Sequence, residues 1–184
     1  MKSVGLPAVT FASAQEFLRA YLPSQPGCLV LDMRMPAMNG LELQNILRSK
    51  GATIPIIFIT GHGDVPMAVD AMRNGAFEFL QKPFRDQDLI DRVQEALARD
   101  SGNRQTLHEQ SRIKACVASL TPREREVLDL LTTGKANKSM ANDLGLSQRT
   151  VEIHRAHVMD KMGVKSVAQL TRMVLQLESP TSPP

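Results

Sequence analysis

The feature that most constrains the fold is the alternation of short apolar runs with helical patterns across the first hundred residues. Four apolar runs have the length and composition of buried strands, and each is followed by a stretch with helical spacing. The predicted strands are Ala8–Phe11, Cys28–Leu31, Ile54–Ile59 and Phe77–Leu80, and the predicted helices are 13–21, 40–50, 65–74 and 86–99. Such alternation indicates right-handed strand–helix–strand units, and therefore an α/β domain whose parallel sheet is covered by helices on both faces.

The residues at the ends of these strands are suited to phosphate chemistry. Asp32, Thr60 and Lys82 each follow one of the predicted strands. Because the carboxyl ends of parallel strands meet at one edge of a sheet, we expect the three side chains to converge. The aspartate could then accept a phosphoryl group as a nucleophile, while the lysine neutralises its oxygens and the threonine hydrogen-bonds one of them. Each residue alone has an ordinary explanation, a turn or a surface position, so the prediction depends on the combination.

The last third of the chain has four short helices with clear start and stop signals. Thr121 and Glu124 form a capping box with proline at the first helical position, and Gly134, Gly145 and Gly163 end the first three helices. The tight turn between the second and third helices is typical of a helix-turn-helix. A small helical bundle that binds another protein is the alternative.

The third of these helices, residues 147–163, has one apolar stripe and one unusual polar face. The stripe consists of Val151, Val158 and Met162. On the opposite face, Glu152 could accept a hydrogen bond from a cytosine amino group, and Ile153 or Ala156 could contact a thymine methyl. The face therefore suits the major groove of DNA, although an ordinary amphipathic surface helix explains this stretch when it is taken alone.

Composition excludes several other classes of protein. The 184 residues carry a net charge of +3, one tyrosine, no tryptophan and two cysteines in unrelated segments. The scarcity of aromatic residues argues against a platform for single-stranded nucleic acid, and the separated cysteines favour a reducing, cytoplasmic location. No apolar run approaches the ~20 residues that cross a bilayer, so no membrane partner is expected. A small phosphate-handling α/β enzyme is disfavoured because no glycine-rich loop follows a strand.

The motifs around the predicted phosphate site resemble the receiver domain of bacterial two-component response regulators. The resemblance covers roughly residues 4–100 and is carried by three motifs, Leu31–Gly40, Ile59–Asp64 and Lys82–Phe84. It implies that a sensor histidine kinase phosphorylates Asp32. It also implies that Thr60 and Phe79 form the switch pair that reports phosphorylation, and that the peptide bond after Lys82 is cis.

The beginning of the chain departs from this resemblance. Receivers start with a central strand that ends in two acidic residues, which hold Mg²⁺ together with the phosphoacceptor and the carbonyl two residues later, here that of Arg34. The only acid before Asp32 is Glu16, inside a predicted helix. We therefore expect a flavodoxin-like, doubly wound receiver whose first strand is missing. Its metal site is then incomplete, and we do not expect it to hold the Mg²⁺ of an intact receiver.

The missing strand would also cost stability. Losing about four buried apolar side chains removes about 6–12 kcal/mol, comparable to the whole stability of a domain, so we expect the receiver to be unstable or rearranged. In the family's strand order, the missing strand lies between the first two strands predicted here. A recorded start that is too far downstream is the alternative explanation.

The last helices resemble the LuxR-type helix-turn-helix domain of transcription regulators. The similarity spans roughly residues 117–177 and is carried mainly by 120–126 and 147–155. It implies that the residues facing DNA bases are Glu152, Ile153 and Ala156. The residues implied to contact the DNA backbone or hold the helix are Lys138, Arg149, Thr150, His154 and Lys161. The implied dimer surface consists of Val167, Leu170 and Val174, for which core packing is the alternative.

These resemblances predict a DNA-binding transcriptional response regulator rather than an enzyme. We expect a receiver over residues 1–100, a polar and partly helical linker over 101–118, an all-α four-helix DNA-binding domain over 119–178 and a disordered tail over 179–184. The expected partners are promoter DNA, a sensor histidine kinase and a second copy of the chain, paired through residues 65–84. As written, the chain should bind DNA weakly, with strong salt dependence, and respond poorly to a phosphodonor. A phosphorylation-independent DNA-binding regulator with a degenerate receiver is the alternative.

Overall fold

The computed structural model describes residues 5–61 and 65–178. Its helices and strands, in chain order, are α1 (Ala14–Ala20), β1 (Leu29–Asp32), α2 (Gly40–Ser49), β2 (Ile56–Thr60), α3 (Val65–Arg73), β3 (Glu78–Gln81), α4 (Asp86–Ala118), α5 (Pro122–Thr132), α6 (Asn137–Leu144), α7 (Gln148–Lys161) and α8 (Val167–Glu178). They form two compact units that meet in sequence between Arg104 and Gln105. Residues 62–64, which belong to one receiver-like motif, and the predicted tail 179–184 lie outside the described residues.

Unit 1 is built on a parallel sheet with the strand order β1-β2-β3. The central strand β2 is buried on both faces, because successive side chains of a strand point to opposite sides. Phe58 packs into a core with α1, α2 and α3, whereas Ile57 packs with Val93 and Ala96 of α4. The predicted α/β architecture, with helices on both faces of a parallel sheet, is therefore confirmed.

The predicted strand Ala8–Phe11 is wrong. This segment contains no helix, turn or bend, but none of the residues that the structure describes hydrogen-bonds to its backbone. Val9 is 77% exposed. A strand forms only where a neighbour pairs with its peptide groups. In the strand order implied by the receiver resemblance another strand separates this segment from β1, and no strand among the described residues lies there.

Helix α4 does not stop at Arg99, as its sequence pattern predicted. It continues through the predicted linker 101–118, which is helical throughout rather than in part. Gly102 lowers helix stability by only about 1 kcal/mol relative to alanine, which does not end a helix. Asp100 and Arg104 span this glycine with an ion pair of 2.6 Å between Oδ2 and Nε, and the carboxylate is almost completely buried.

Unit 2 contains the four predicted helices α5 to α8, and their predicted caps are confirmed. The Thr121 hydroxyl accepts a hydrogen bond from the Glu124 amide at 3.3 Å, and the Glu124 carboxylate accepts one from the Thr121 amide at 2.8 Å. Gly145 ends α6 with a φ of 63°, and the Ser147 hydroxyl caps α7. The buried core of this unit includes Val127, Leu128, Leu131, Met140, Val151, Val158, Met162, Leu170 and, from α4, Ile113. Over residues 5–61 and 65–178, no helix is both long and apolar enough to cross a bilayer.

Candidate functional sites

The three predicted phosphate-handling residues lie at the same edge of the sheet in unit 1. Asp32 ends β1, Thr60 ends β2, and Lys82 follows β3. The Lys82 ammonium lies 2.7 Å from Oδ2 of Asp32, and the Lys82 amide donates to the Thr60 carbonyl at 2.8 Å. The Asp32 and Lys82 side chains are 42% and 51% exposed, whereas Thr60 is buried. The peptide bond between Lys82 and Pro83 is cis, as the resemblance implied.

The hydrogen bonds around Asp32 keep its carboxylate ionised. Partial burial, the largest single influence, raises its pKa. The hydrogen bond from Lys82, the hydrogen bond from the Arg34 amide to Oδ1 and the positive charge of Lys82 together outweigh burial and lower the pKa of Asp32 below its usual value. The carboxylate is therefore an anion at neutral pH, as a nucleophile must be.

Gly40 brings helix α2 against the loop that carries Asp32. A Cβ atom at this position would lie 2.8 Å from Cε1 of Phe58 and 2.9 Å from the Asp32 carbonyl oxygen. The Gly40 amide donates to the Met33 carbonyl at 3.1 Å. Only glycine fits this approach without moving its neighbours, so the contact fixes where β1 ends.

The described residues do not make up the Mg²⁺ site that the receiver resemblance implies. An octahedral Mg²⁺ needs several oxygen ligands, usually with one or two carboxylates among them. The Asp32 carboxylate is already bonded to Lys82 and to the Arg34 amide. No group of three or more His, Cys, Asp or Glu side chains that could hold a metal is present within residues 5–61 and 65–178.

Helix α7 presents the residues that were predicted to face DNA bases. Val151 and Val158 are fully buried in the core of unit 2 and hold the helix in place. Glu152 and Ala156 are exposed on the other side, and Ile153 is 50% exposed. Because half of the Ile153 side chain remains in water, the protein forgoes part of the free energy that its burial would give. Contact with another molecule would bury this side chain, so the face is suited to such a contact.

The residues predicted to contact the DNA backbone fall into two groups. Lys138 and Arg149 are exposed at the surface. Thr150 is half-buried, and its hydroxyl lies 2.7 Å from Oγ of the capping Ser147, so it helps to hold the helix start. His154 is also half-buried, and its Nδ1 is buried without a hydrogen-bond partner in the part of the chain that the structure describes.

Lys161 forms a partly buried contact that the sequence did not reveal. Its ammonium lies 2.6 Å from Oε2 of Glu124 and 3.4 Å from the Ser119 carbonyl. Glu124 is 3% exposed, and Nδ1 of His157 lies 3.5 Å from its other oxygen. The hydrogen bond from Lys161, followed by that from the Thr121 amide, lowers the pKa of Glu124 to about 2. Lys161 therefore fastens the end of α7 to the start of α5.

The residues proposed for a dimer surface on α8 mainly pack inward. Leu170 is fully buried in the core of unit 2, which removes it from any dimer surface. Val167 and Val174 are partly buried against the same core. Core packing, the alternative noted for these three positions, accounts for what they contact.

Two protein families match the two units. The response regulator receiver domain family matches residues 1–94, and the family described as bacterial regulatory proteins, luxR family, matches residues 118–174. The chain belongs to the response regulators. Its receiver and LuxR-type domains make it a DNA-binding transcriptional regulator of the two-component type rather than an enzyme.

Named relatives share both parts of this response regulator. Nodulation protein W of Bradyrhizobium diazoefficiens is 49% identical over 172 residues, which cover 94% of this chain and 76% of that protein. Transcriptional regulatory protein FixJ of Azorhizobium caulinodans is 46% identical, covering 95% of this chain and 83% of that protein. The solved structure of response regulator StyR has a TM-score of 0.86 and 45% identity, covering 95% of this chain and 88% of that one. Full-length FixJ from B. japonicum has a TM-score of 0.56 and 40% identity, covering 96% and 87%.

Proposed function

We propose that α7 of this response regulator lies in the major groove of promoter DNA and reads base edges through Glu152, Ile153 and Ala156. The observation that carries the proposal is the exposure of these residues on a helix whose opposite face is fixed by Val151 and Val158. A carboxylate can accept from the cytosine amino group, and aliphatic side chains can contact thymine methyls. Promoter DNA as the partner also places the protein in the cytoplasm.

The test is to select preferred duplexes from a random DNA pool with the wild-type protein and to compare variants on them. We expect Glu152→Ala to lose discrimination at one base pair by about 1–3 kcal/mol. Glu109→Ala, which removes the same charge from a half-exposed position on α4 that pairs with Arg112, should leave the preference unchanged. Equal base preferences of Glu152→Ala and wild type would contradict the proposal.

We further propose that Asp32 accepts a phosphoryl group from the phosphohistidine of a sensor kinase. A carboxylate oxygen forms the new O–P bond while the N–P bond of the phosphohistidine breaks. The Lys82 ammonium, which contacts the carboxylate at 2.7 Å, then moves onto the phosphoryl oxygens, and the buried Thr60 hydroxyl donates to one of them. The anionic state of Asp32 and its direct contact with Lys82 support this assignment.

Intact-mass measurement after acetyl phosphate treatment, in buffer that contains Mg²⁺, tests the assignment. Wild type should gain the mass of one phosphoryl group, and Asp32→Asn should gain none. A phosphorylation-independent regulator is the second candidate, because the described residues do not complete an Mg²⁺ site. It would be favoured if wild type and Asp32→Asn took up no phosphoryl group and bound DNA with equal affinity.

We propose that phosphorylation promotes pairing through the apolar residues of segment 65–84. Val69 and Met72 of α3 and Phe79 of β3 are between 37% and 43% exposed. Pairing would place two recognition helices about one DNA turn (~34 Å) apart and would raise affinity through effective concentration. Sedimentation should show a dimer of phosphorylated wild type and a monomer of Met72→Glu.

A further inference from the structure

The buried side chain of Gln44 connects helix α2 to helix α3 in unit 1. Gln44 is 3% exposed and lies in α2 between Leu43 and Leu47, which are each 1% exposed. Its Nε2 donates a hydrogen bond to the carbonyl oxygen of Ala71 in α3 at 3.0 Å. Because a carbonyl oxygen only accepts, the nitrogen of the amide must be the atom that faces Ala71, which leaves Oε1 on the other side.

The amide of Gln44 is only half satisfied by this bond. Its Oε1 is buried and has no hydrogen-bond partner among residues 5–61 and 65–178. A buried acceptor without a donor costs free energy comparable to what one hydrogen bond contributes. The Ala71 carbonyl does not depend on Gln44, because it also accepts from the Ala76 amide at 3.0 Å. The polar side chain at position 44 therefore adds little to the net stability of unit 1, and its use must be sought elsewhere.

Apolar packing alone fixes the position of α3 only weakly. Of the α3 side chains that the structure describes, the fully buried ones are Ala68 and Ala71. Helices fix their register by fitting the ridges of one between those of the other, and alanine gives only a low ridge. The surface contact of Arg48 with Asn74 is 3.5 Å long, too long for a strong hydrogen bond. The directional bond from Gln44 supplies the register that these contacts lack, as buried polar groups do elsewhere at some cost in stability.

The position of α3 matters for both proposals made for unit 1. The helix begins shortly after Thr60, at the edge of the sheet that carries the phosphate-handling residues. It also carries Val69 and Met72, which are 43% and 38% exposed and belong to the segment proposed for pairing. The Gln44 bond is present in a protein whose Lys82 still contacts the Asp32 carboxylate directly, at 2.7 Å. It therefore belongs to the arrangement of α3 that precedes phosphoryl transfer.

We propose that Gln44 is a positioning residue that holds α3 in its unphosphorylated arrangement and thereby restrains the pairing of two copies of the chain. A contact made in only one of two arrangements shifts the equilibrium towards that arrangement by its own free energy. The inference rests on the pairing through segment 65–84 proposed above, and it places the restraint in α2, outside that segment. Removing the bond should tighten pairing in the absence of phosphorylation about tenfold, which corresponds to about 1.4 kcal/mol.

The experiment compares the full chain with Gln44→Met in the absence of any phosphodonor. Methionine keeps the length and the helix preference of glutamine but removes both groups of the amide. Sedimentation equilibrium should give a dimer dissociation constant about tenfold lower than that of wild type. In dilute, monomeric samples, amide exchange of residues 67–73 should be about tenfold faster, while stability in urea is unchanged or slightly higher. Leu47→Met, at a buried apolar position of the same helix, is the matched control and should change neither pairing nor exchange.

Unchanged exchange or unchanged pairing of Gln44→Met would overturn the proposal, and so would a marked loss of stability, which would make the amide an ordinary structural contact. Wild type offers a test that needs no variant, because the Nε2 hydrogens of Gln44 should exchange slowly in nuclear magnetic resonance spectra; rapid exchange would contradict the buried bond. Adding Met72→Glu to Gln44→Met should abolish the gain in pairing. If the gain persisted, pairing through segment 65–84 would be wrong, whereas faster exchange of α3 would still support its restraint by Gln44.

Discussion

Replacing Gly40 with alanine should destabilise unit 1, although alanine favours helices. The added Cβ would lie 2.8 Å from the Phe58 ring and 2.9 Å from the Asp32 carbonyl oxygen. Phe58 is fully buried, and the Asp32 oxygen belongs to the main chain, so neither can yield cheaply. Overpacking a core costs about 1–3 kcal/mol, and the helical preference for alanine returns up to about 1 kcal/mol. Because both neighbours are fixed, we expect the upper end of that cost and a net loss of about 2 kcal/mol.

The lone tyrosine makes this loss measurable in the intact protein. Tyr21 is the only tyrosine in the sequence, there is no tryptophan, and Tyr21 packs against Phe17 in unit 1. Its fluorescence therefore follows the unfolding of unit 1 in urea. A loss of about 2 kcal/mol corresponds to a roughly 30-fold smaller ratio of folded to unfolded unit 1.

Gly102→Ala provides the matched control. Gly102 lies within α4, and a Cβ there would have no heavy atom within 4 Å apart from its chain neighbours and the backbone of its own helix, so alanine should stabilise the helix by about 0.5–1 kcal/mol. The same substitution should thus have opposite signs at the two glycines. Equal stability of Gly40→Ala and wild type would refute the reasoning, because close approach at Gly40 would then not fix the end of β1.

Four further substitutions test the roles assigned to charged side chains. The pKa of Glu124 is about 2 in the folded protein, against an ordinary value of 4.5. Its carboxylate therefore stabilises unit 2 above pH 4.5, and this stabilisation is lost as the pH falls towards 2. The melting temperature of Glu124→Gln should lack this pH dependence. Arg149→Ala should reduce the salt slope of DNA binding by about 1. Lys161→Ala should instead lower the melting temperature of unit 2 and leave that slope unchanged, whereas a reduced slope would mean that Lys161 contacts a phosphate. Arg104→Ala leaves Asp100 buried without its ion-pair partner and should cost about 3 kcal/mol in urea unfolding followed by tyrosine fluorescence; a loss under about 1 kcal/mol, typical of surface pairs, would contradict it.

The features that were predicted most reliably from the sequence are those that depend on residues close together in the chain. The starts of α5 and α7 follow from Thr121 and Ser147, whose hydroxyls cap amides only three residues away. The approach of Asp32 and Lys82, 50 residues apart, was predictable because parallel strands bring their carboxyl ends to one edge.

Features that depend on distant partners were not predictable in the same way. Segment 8–11 has strand composition, but strand formation needs a neighbour, which no local pattern reveals. The sequence predicted a polar, partly helical linker over 101–118, and the Asp100–Arg104 pair within the continuous helix became clear only from its burial. Glu124 already had a sufficient local role in a capping box, so nothing in the sequence indicated a lysine 37 residues later.

Glu124 both caps α5 and binds Lys161 of α7, and this separates the residues that hold α7 in place from those on its outer face. One carboxylate closes the first turn of α5 and holds the last turn of α7, so the direction in which α7 leaves the core is set from inside. Glu152, Ile153 and Ala156 on the outer face of α7 make no contact with that carboxylate among the described residues. If α7 reads bases as we propose, new operator preferences arise by exchanging side chains on that outer surface, while the Glu124–Lys161 contact stays constant.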